Sequence, residues 1–196
     1  MKGKLALVVT VAGALLIGSL FPVAPVWAAK KGATKAQKQA EVRKTVNETL
    51  NRLYKLQSTS KEAIEKAAGY AVFSNFGMKI FFAGGGSGKG IAVNNATKKE
   101  TFMKMLEVQA GLGMGVKKFR LVWVFQTEEA LSSFINSGWE LGTQATAAAQ
   151  YDDKGAGMAG AVAISKGVWL YQLTDDGLAV ELTAKGKNYF RDDDLN

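Results

Sequence analysis

Three kinds of residue in this 196-residue chain could do chemistry: paired aspartates, a glycine run carrying a lysine, and clusters of cations. The aspartates stand at Asp152-Asp153, Asp175-Asp176 and Asp192-Asp193-Asp194. Adjacent carboxylates are the minimum for general acid-base work or for holding a hard cation. Here they border glycines or close the sequence, where acids mark turns and solvated tails, so no catalytic or metal role is expected of them. Histidine and cysteine are both absent. Ser-His-Asp and Cys-His nucleophiles and zinc sites built from His and Cys are therefore impossible. Ser58 and Lys61 form a Ser-x-x-Lys string, but the Ser-Asp-Asn and Lys-Thr-Gly strings that accompany it in serine acyltransferases are missing. The chain is expected to be no enzyme and to need no cofactor.

The glycine run, Gly84 to Gly90, imitates a phosphate loop without being one. A P-loop needs glycine five residues before Gly88 and a hydroxyl residue after Lys89; this chain has Ala83 and Gly90 there. No nucleotide is expected, and the run reads as a tight loop between strands, with Lys89 and exposed backbone N–H groups able to touch an anion. The remaining cations are Lys35, Lys38, Arg43 and Lys44 near the start of the mature chain, and the group Lys117, Lys118 and Arg120. These are the expected contacts with an anionic partner.

Those cations must be positioned by an α+β fold. From Thr34 to Tyr54 the apolar residues Val42, Val46, Leu50 and Leu53 recur at three- and four-residue steps, an amphipathic helix with a basic face. Thr59 and Glu62 have the spacing of a capping box, which starts a second short helix ending before Gly69. The period then becomes two. Short strands are expected at Tyr70 to Phe73, Met78 to Ala83, Gly90 to Asn94, Leu106 to Met114, Leu121 to Phe125, from Trp139 onward, Met158 to Ile164, Val168 to Leu173 and Leu178 to Thr183. Glycine at every second position from Gly111 to Gly115 leaves one face bare, for curvature or close approach of another backbone. One helix interrupts the strands, with Thr127 as N-cap, Glu128 and Glu129 in its first turn and Gly138 as its stop. The sum is a curved, mostly antiparallel sheet or small barrel-like core, with helices at one end and over one face.

Ahead of that domain, Lys2 and Lys4 precede a 17-residue apolar run, Leu5 to Phe21, followed by Pro22, Pro25 and Val26-Trp27-Ala28. This is the pattern of a signal peptide cleaved after Ala28, which places the mature chain in the periplasm or outside the cell. Cleavage removes two of the 25 basic residues and none of the 17 acidic ones, taking the formal charge from +8 to +6. An exported basic protein meets phospholipid headgroups and wall polymers rather than nucleic acid. The organisation expected is a signal peptide at 1–28, a basic amphipathic helix within 29–58, and a domain over 59–196.

Ala67 to Phe73, Asn75-Phe76-Gly77, Phe81 to Gly86 and Gly88-Lys89-Gly90 resemble the opening signature of the SYLF domain family. Gly111 to Gly115, Ala130-Leu131 with Phe134, Gly138-Trp139, Ala147 to Ala149, Gly167-Val168 with Tyr171, and Gly186 to Phe190 followed by Leu195-Asn196 continue the likeness. It covers about Leu50 to Asn196. Membership implies a lipid-binding domain; eukaryotic relatives bind phosphoinositides, partly through an amphipathic helix before the signature, and some bind actin, while bacterial relatives are exported. Ser74, Gly113 and Arg120 depart from the residues common in the family, and a cation at 120 favours an anionic partner. The expected function is a non-enzymatic exported module binding anionic phospholipid at a membrane surface. The alternative is a structural or protein-interaction component of the cell envelope.

Overall fold

The computed structural model describes residues 32–75, 85–108, 119–141, 158–179 and 187–196. Its first element, helix α1 (Lys35–Leu56), opens on a reciprocal cap: the Thr34 hydroxyl accepts from the Gln37 backbone N–H, and the Gln37 side-chain oxygen accepts from the Thr34 N–H. Two donors that a helix start leaves unpaired are thereby satisfied. Helix α2 (Thr59–Lys66) instead has Ser58 at its N-cap, with no side-chain hydrogen bond there. The capping box thus belongs to α1 and not to Thr59. Helix α3 (Glu128–Ser137) starts as expected, Thr127 accepting from the Ala130 N–H, and ends at Gly138 with a φ of 71°.

The described strands are β1 (Gly69–Ser74), β2 (Gly85–Asn94), β3 (Glu100–Val108), β4 (Arg120–Phe125), β5 (Trp139–Leu141), β6 (Val162–Ser165), β7 (Val168–Thr174), β8 (Gly177–Ala179) and β9 (Lys187–Arg191). They form one sheet in the order β5-β9-β3-β2-β1-β4-β7-β6, with β8 added to β7. Each pairing is antiparallel, and the sheet curls into a half-barrel. The α+β class and the antiparallel sheet agree with the sequence reading.

Three details differ. Residues 85–90, expected as a loop, lie in β2, where Gly88, Lys89 and Gly90 pair across to Met105, Lys104 and Met103. A Cβ on Gly90 would stand 2.2 Å from the Val72 carbonyl oxygen, so the glycine there answers to a close approach of strands rather than to a turn. The β3 strand begins at Glu100, ahead of the alternation that starts at Leu106, and β9 adds a strand within the closing motif. The expected strand at 78–83 and the glycine face of 111–115 lie outside the described residues.

Helices cover both faces, not one. On the first face Ala71, Phe73, Ala92, Met103, Met105, Leu121, Trp123, Phe125, Leu170 and Tyr189 pack with Leu131 and Phe134 of α3. On the second, Val72, Ile91, Phe102, Val122, Val124, Trp169, Tyr171 and Leu173 receive Val42, Val46, Leu50 and Leu53 of α1 and Ile64 of α2. Strand alternation produces the division, since odd and even residues of each strand point oppositely. The apolar stripe of α1 is therefore sheet core. Each of its four aliphatic side chains contributes about 1.5–3 kcal/mol by burial. Among the described residues no helix is long and apolar enough to cross a membrane.

Candidate functional site

Strand register assembles what the sequence keeps apart. Arg120 on β4 lies opposite Ser74 on β1, Ser74 opposite Lys89 on β2, and Lys89 opposite Lys104 on β3. Directly paired antiparallel residues share a face, so these four side chains make a row across four strands on the α1 side. At about 4.8 Å per strand the row spans roughly 14 Å. It continues to Leu173 beyond Arg120 and to Phe190 beyond Lys104. Ser74 is buried, Lys89 and Arg120 are half-buried, and the Lys104 side chain is 33% exposed.

Two lysines directly opposed on a sheet repel. The carboxylates that offset this come from the chain's own C-terminal segment: Lys104 Nζ lies 2.9 Å from Asp192 and 3.0 Å from Asp194. Asp192 is buried, which corrects its expected place in a solvated tail. The segment is held by more than charge. The Asp192 N–H donates to the Phe102 carbonyl, and the Asn196 carboxamide accepts from the Phe102 N–H at 2.9 Å and donates to its carbonyl at 2.7 Å, imitating another strand. Leu195 is buried against the α1-side core, its carbonyl accepting from Gln39, and Lys35 donates to the Asn196 carbonyl.

Hydrogen bonding from Lys104 holds the Asp194 carboxyl below the ordinary aspartate range, helped by the charge of Lys104 and then of Lys38 and Lys89. Lys104 is raised in turn by its bonds to Asp192 and Asp194. Burial, with the charges of Tyr70 and Glu65, pushes the Tyr54 hydroxyl up to about 12, and burial raises Tyr70 and Tyr171 too. These displaced groups move away from neutrality, opposite to the tuning an acid-base catalyst requires. Among the described residues no cluster of three or more acidic, His or Cys side chains could hold a metal ion.

Of the sequence-predicted contacts, Lys89 and Arg120 stand in the row, Lys38 acts on Asp194 beside it, and Lys35 binds the C-terminal segment. Arg43 is elsewhere, paired with Glu100 at 2.7 Å and stacked 5.0 Å over the Phe102 ring. Lys44 faces Glu48 one turn along α1, at 4.0 Å. Lys117 and Lys118 lie outside the described residues. Lys104 was missed; stepping back two residues from Leu106 along β3 reaches it on the same face, opposite to Met103 and Met105. Nothing in the sequence signals the Asn196 carboxamide pairing.

The row also has an apolar border. Leu106, 45% exposed, follows Lys104 on the same face of β3, and Phe190, 36% exposed, is directly across from Lys104 on β9. Lysines beside exposed apolar side chains can join an interface between water and hydrocarbon, the cations meeting headgroups and the apolar groups entering among chains.

Residues 106–196 match the family described as "Ysc84: Las17-binding protein actin regulator". The chain is also 31% identical over 149 residues to beta cell expansion factor A of Aeromonas veronii, an alignment covering 74% of this chain and 54% of that protein. The chain thus spans about half the length of this relative.

Proposed function

Because this chain belongs to the SYLF family through residues 106–196, a family of binding domains associated with lipid, we propose that it is an exported, non-enzymatic module that binds anionic phospholipid at a membrane surface. The observation that carries the reading is the row of Lys104, Lys89 and Arg120 bordered by exposed Leu106 and Phe190. Each cation near an anionic surface contributes about 1 kcal/mol, so the row with Lys35 and Lys38 suffices for a reversible attachment. Contact is made by this sheet face and the polar side of α1, since the apolar stripe of α1 is occupied by the sheet. Export is supported by the apolar run Leu5 to Phe21 and the Val26-Trp27-Ala28 junction.

The test is co-sedimentation of the exported protein, whose intact mass should begin at Ala29, with phosphatidylcholine vesicles containing or lacking phosphatidylglycerol. Retention should require the anionic lipid and fall with salt. Equal retention by neutral vesicles would overturn the reading, and a mass including residues 1–28 would overturn the export. A second reading, a protein-interaction component of the envelope, is favoured by the family's description as Las17-binding. Capture of a single envelope protein with no vesicle binding would decide for it.

A further inference from the structure

We propose that Asp194 is a built-in competitor for the lipid-binding row, occupying Lys104 until an anionic surface displaces it. The inference rests on the lipid reading above and adds a regulation to the same site. Its basis is an asymmetry between two carboxylates on one lysine. Asp192 is 1% exposed and fixed by its own N–H on the Phe102 carbonyl, so it neutralises Lys104 as part of the core. Asp194 is 85% exposed while touching the same Nζ at 3.0 Å. An exposed ion pair is weak and screened, and a dense array of phosphates can replace it.

Position makes Asp194 a competitor rather than a bystander. The segment is anchored on both sides of the contact, before it by the Asp192 N–H on the Phe102 carbonyl, and after it by the buried Leu195 side chain, the Asn196 carboxamide on Phe102, and the carbonyls that accept from Gln39 and Lys35. A tethered carboxylate acts at high effective concentration, so free anions in solution displace it poorly. Lys38 and Lys89 also act on it, so its presence lowers the charge that three cations offer outward. Its neighbour Asp193 has the same charge and 93% exposure but faces Arg191 at 3.9 Å, away from Lys104.

That neighbour supplies the control. Asp194→Asn and Asp193→Asn change net charge equally, yet only the first removes the exposed carboxylate from Lys104 and leaves it with Asp192 alone. In vesicles of phosphatidylcholine with phosphatidylglycerol at about 0.15 M salt, Asp194→Asn should bind about fivefold tighter than the parent. Asp193→Asn should gain less than about twofold. Circular dichroism should find both variants folded, as expected for exposed positions. Vesicle binding by the parent with equal gains in the two variants, or none in Asp194→Asn, would overturn the competitor and leave the lipid reading standing. Should none of the three bind vesicles, the lipid reading fails. Titration with inorganic pyrophosphate then decides the competitor by itself: a gain confined to Asp194→Asn upholds it, and its absence overturns it.

Discussion

The two faces of the sheet solve different problems with the same strands. On the α3 side, Phe73, Trp123, Phe125, Phe134 and Tyr189 interlock, with ring centroids 4.8 Å apart for Phe73 and Tyr189 and 4.9 Å for Phe125 and Phe134. On the α1 side the core is mostly aliphatic, and toward one end of the strands it gives way to Arg120, Lys89 and Lys104. One face therefore holds the fold, and the other holds it over part of its area while presenting charge over the rest. Stability and binding should separate along this division.

Phe134→Ala tests the separation most severely. Its ring is fully buried against Trp123, Phe125, Phe73 and Tyr189, so truncation should cost about 3–5 kcal/mol of unfolding free energy, measured by denaturant titration. Vesicle affinity of the molecules that remain folded should stay at the parent value. A large change in that affinity would mean that the two faces are coupled.

The opposite signature is expected from Lys38→Glu with Lys89→Glu. Two positive charges, one in the row and one beside it, are removed and two negative ones added, so binding to anionic vesicles should weaken by about 2 kcal/mol or more, roughly thirtyfold. The thermal midpoint should move little, because Lys38 is exposed and Lys89 half-buried. Undiminished binding by the folded double variant would remove the row from the interface and direct attention to Lys117, Lys118 and the outer side of α1.

The same division explains what was legible in the sequence. Helices α1 and α3 and strands β1, β4 and β7 announce themselves by periodicity and, for α3, by caps, which are local signals. Residues 85–90 misled because glycine marks turns and close-packed strands alike, and only the Val72 carbonyl beside Gly90 distinguishes them. The cationic row was half legible. Lys89 and Arg120 were picked out by type, but their alignment depends on register through Ser74, a long-range property that no local spacing encodes. Asp192 read as tail because three successive aspartates are usually solvated; docking Leu195 and Asn196 onto α1 and β3 is what draws it inward.

The smallest expected effect sits where the two functions of the α1 face meet, at Lys104. Asp194 is depressed by its bond to Lys104, so its contribution to stability is present above the ordinary aspartate range near pH 4 and is lost as pH falls through its lower folded value. Lys104 is raised by Asp192 and Asp194, so its contribution is complete below about pH 10 and is lost as pH rises past that into its higher folded range. Acid sensitivity alone would not identify the pair, because Glu62 and Lys66 on α2 are displaced in the same directions by their mutual hydrogen bond. The useful quantity is the thermal midpoint of the parent minus that of Asp194→Asn, followed from pH 7 down to about pH 2. The α2 pair cancels in that difference, whereas the weaker pulls of Lys38 and Lys89 on Asp194 stay in it beside the Lys104 bond. A small positive difference at neutral pH should shrink toward zero in acid, where a protonated Asp194 is nearly isosteric with the asparagine. A difference that stays flat across that range would show that the ionised Asp194 carboxylate, with Lys104 as its main partner, adds nothing to the fold.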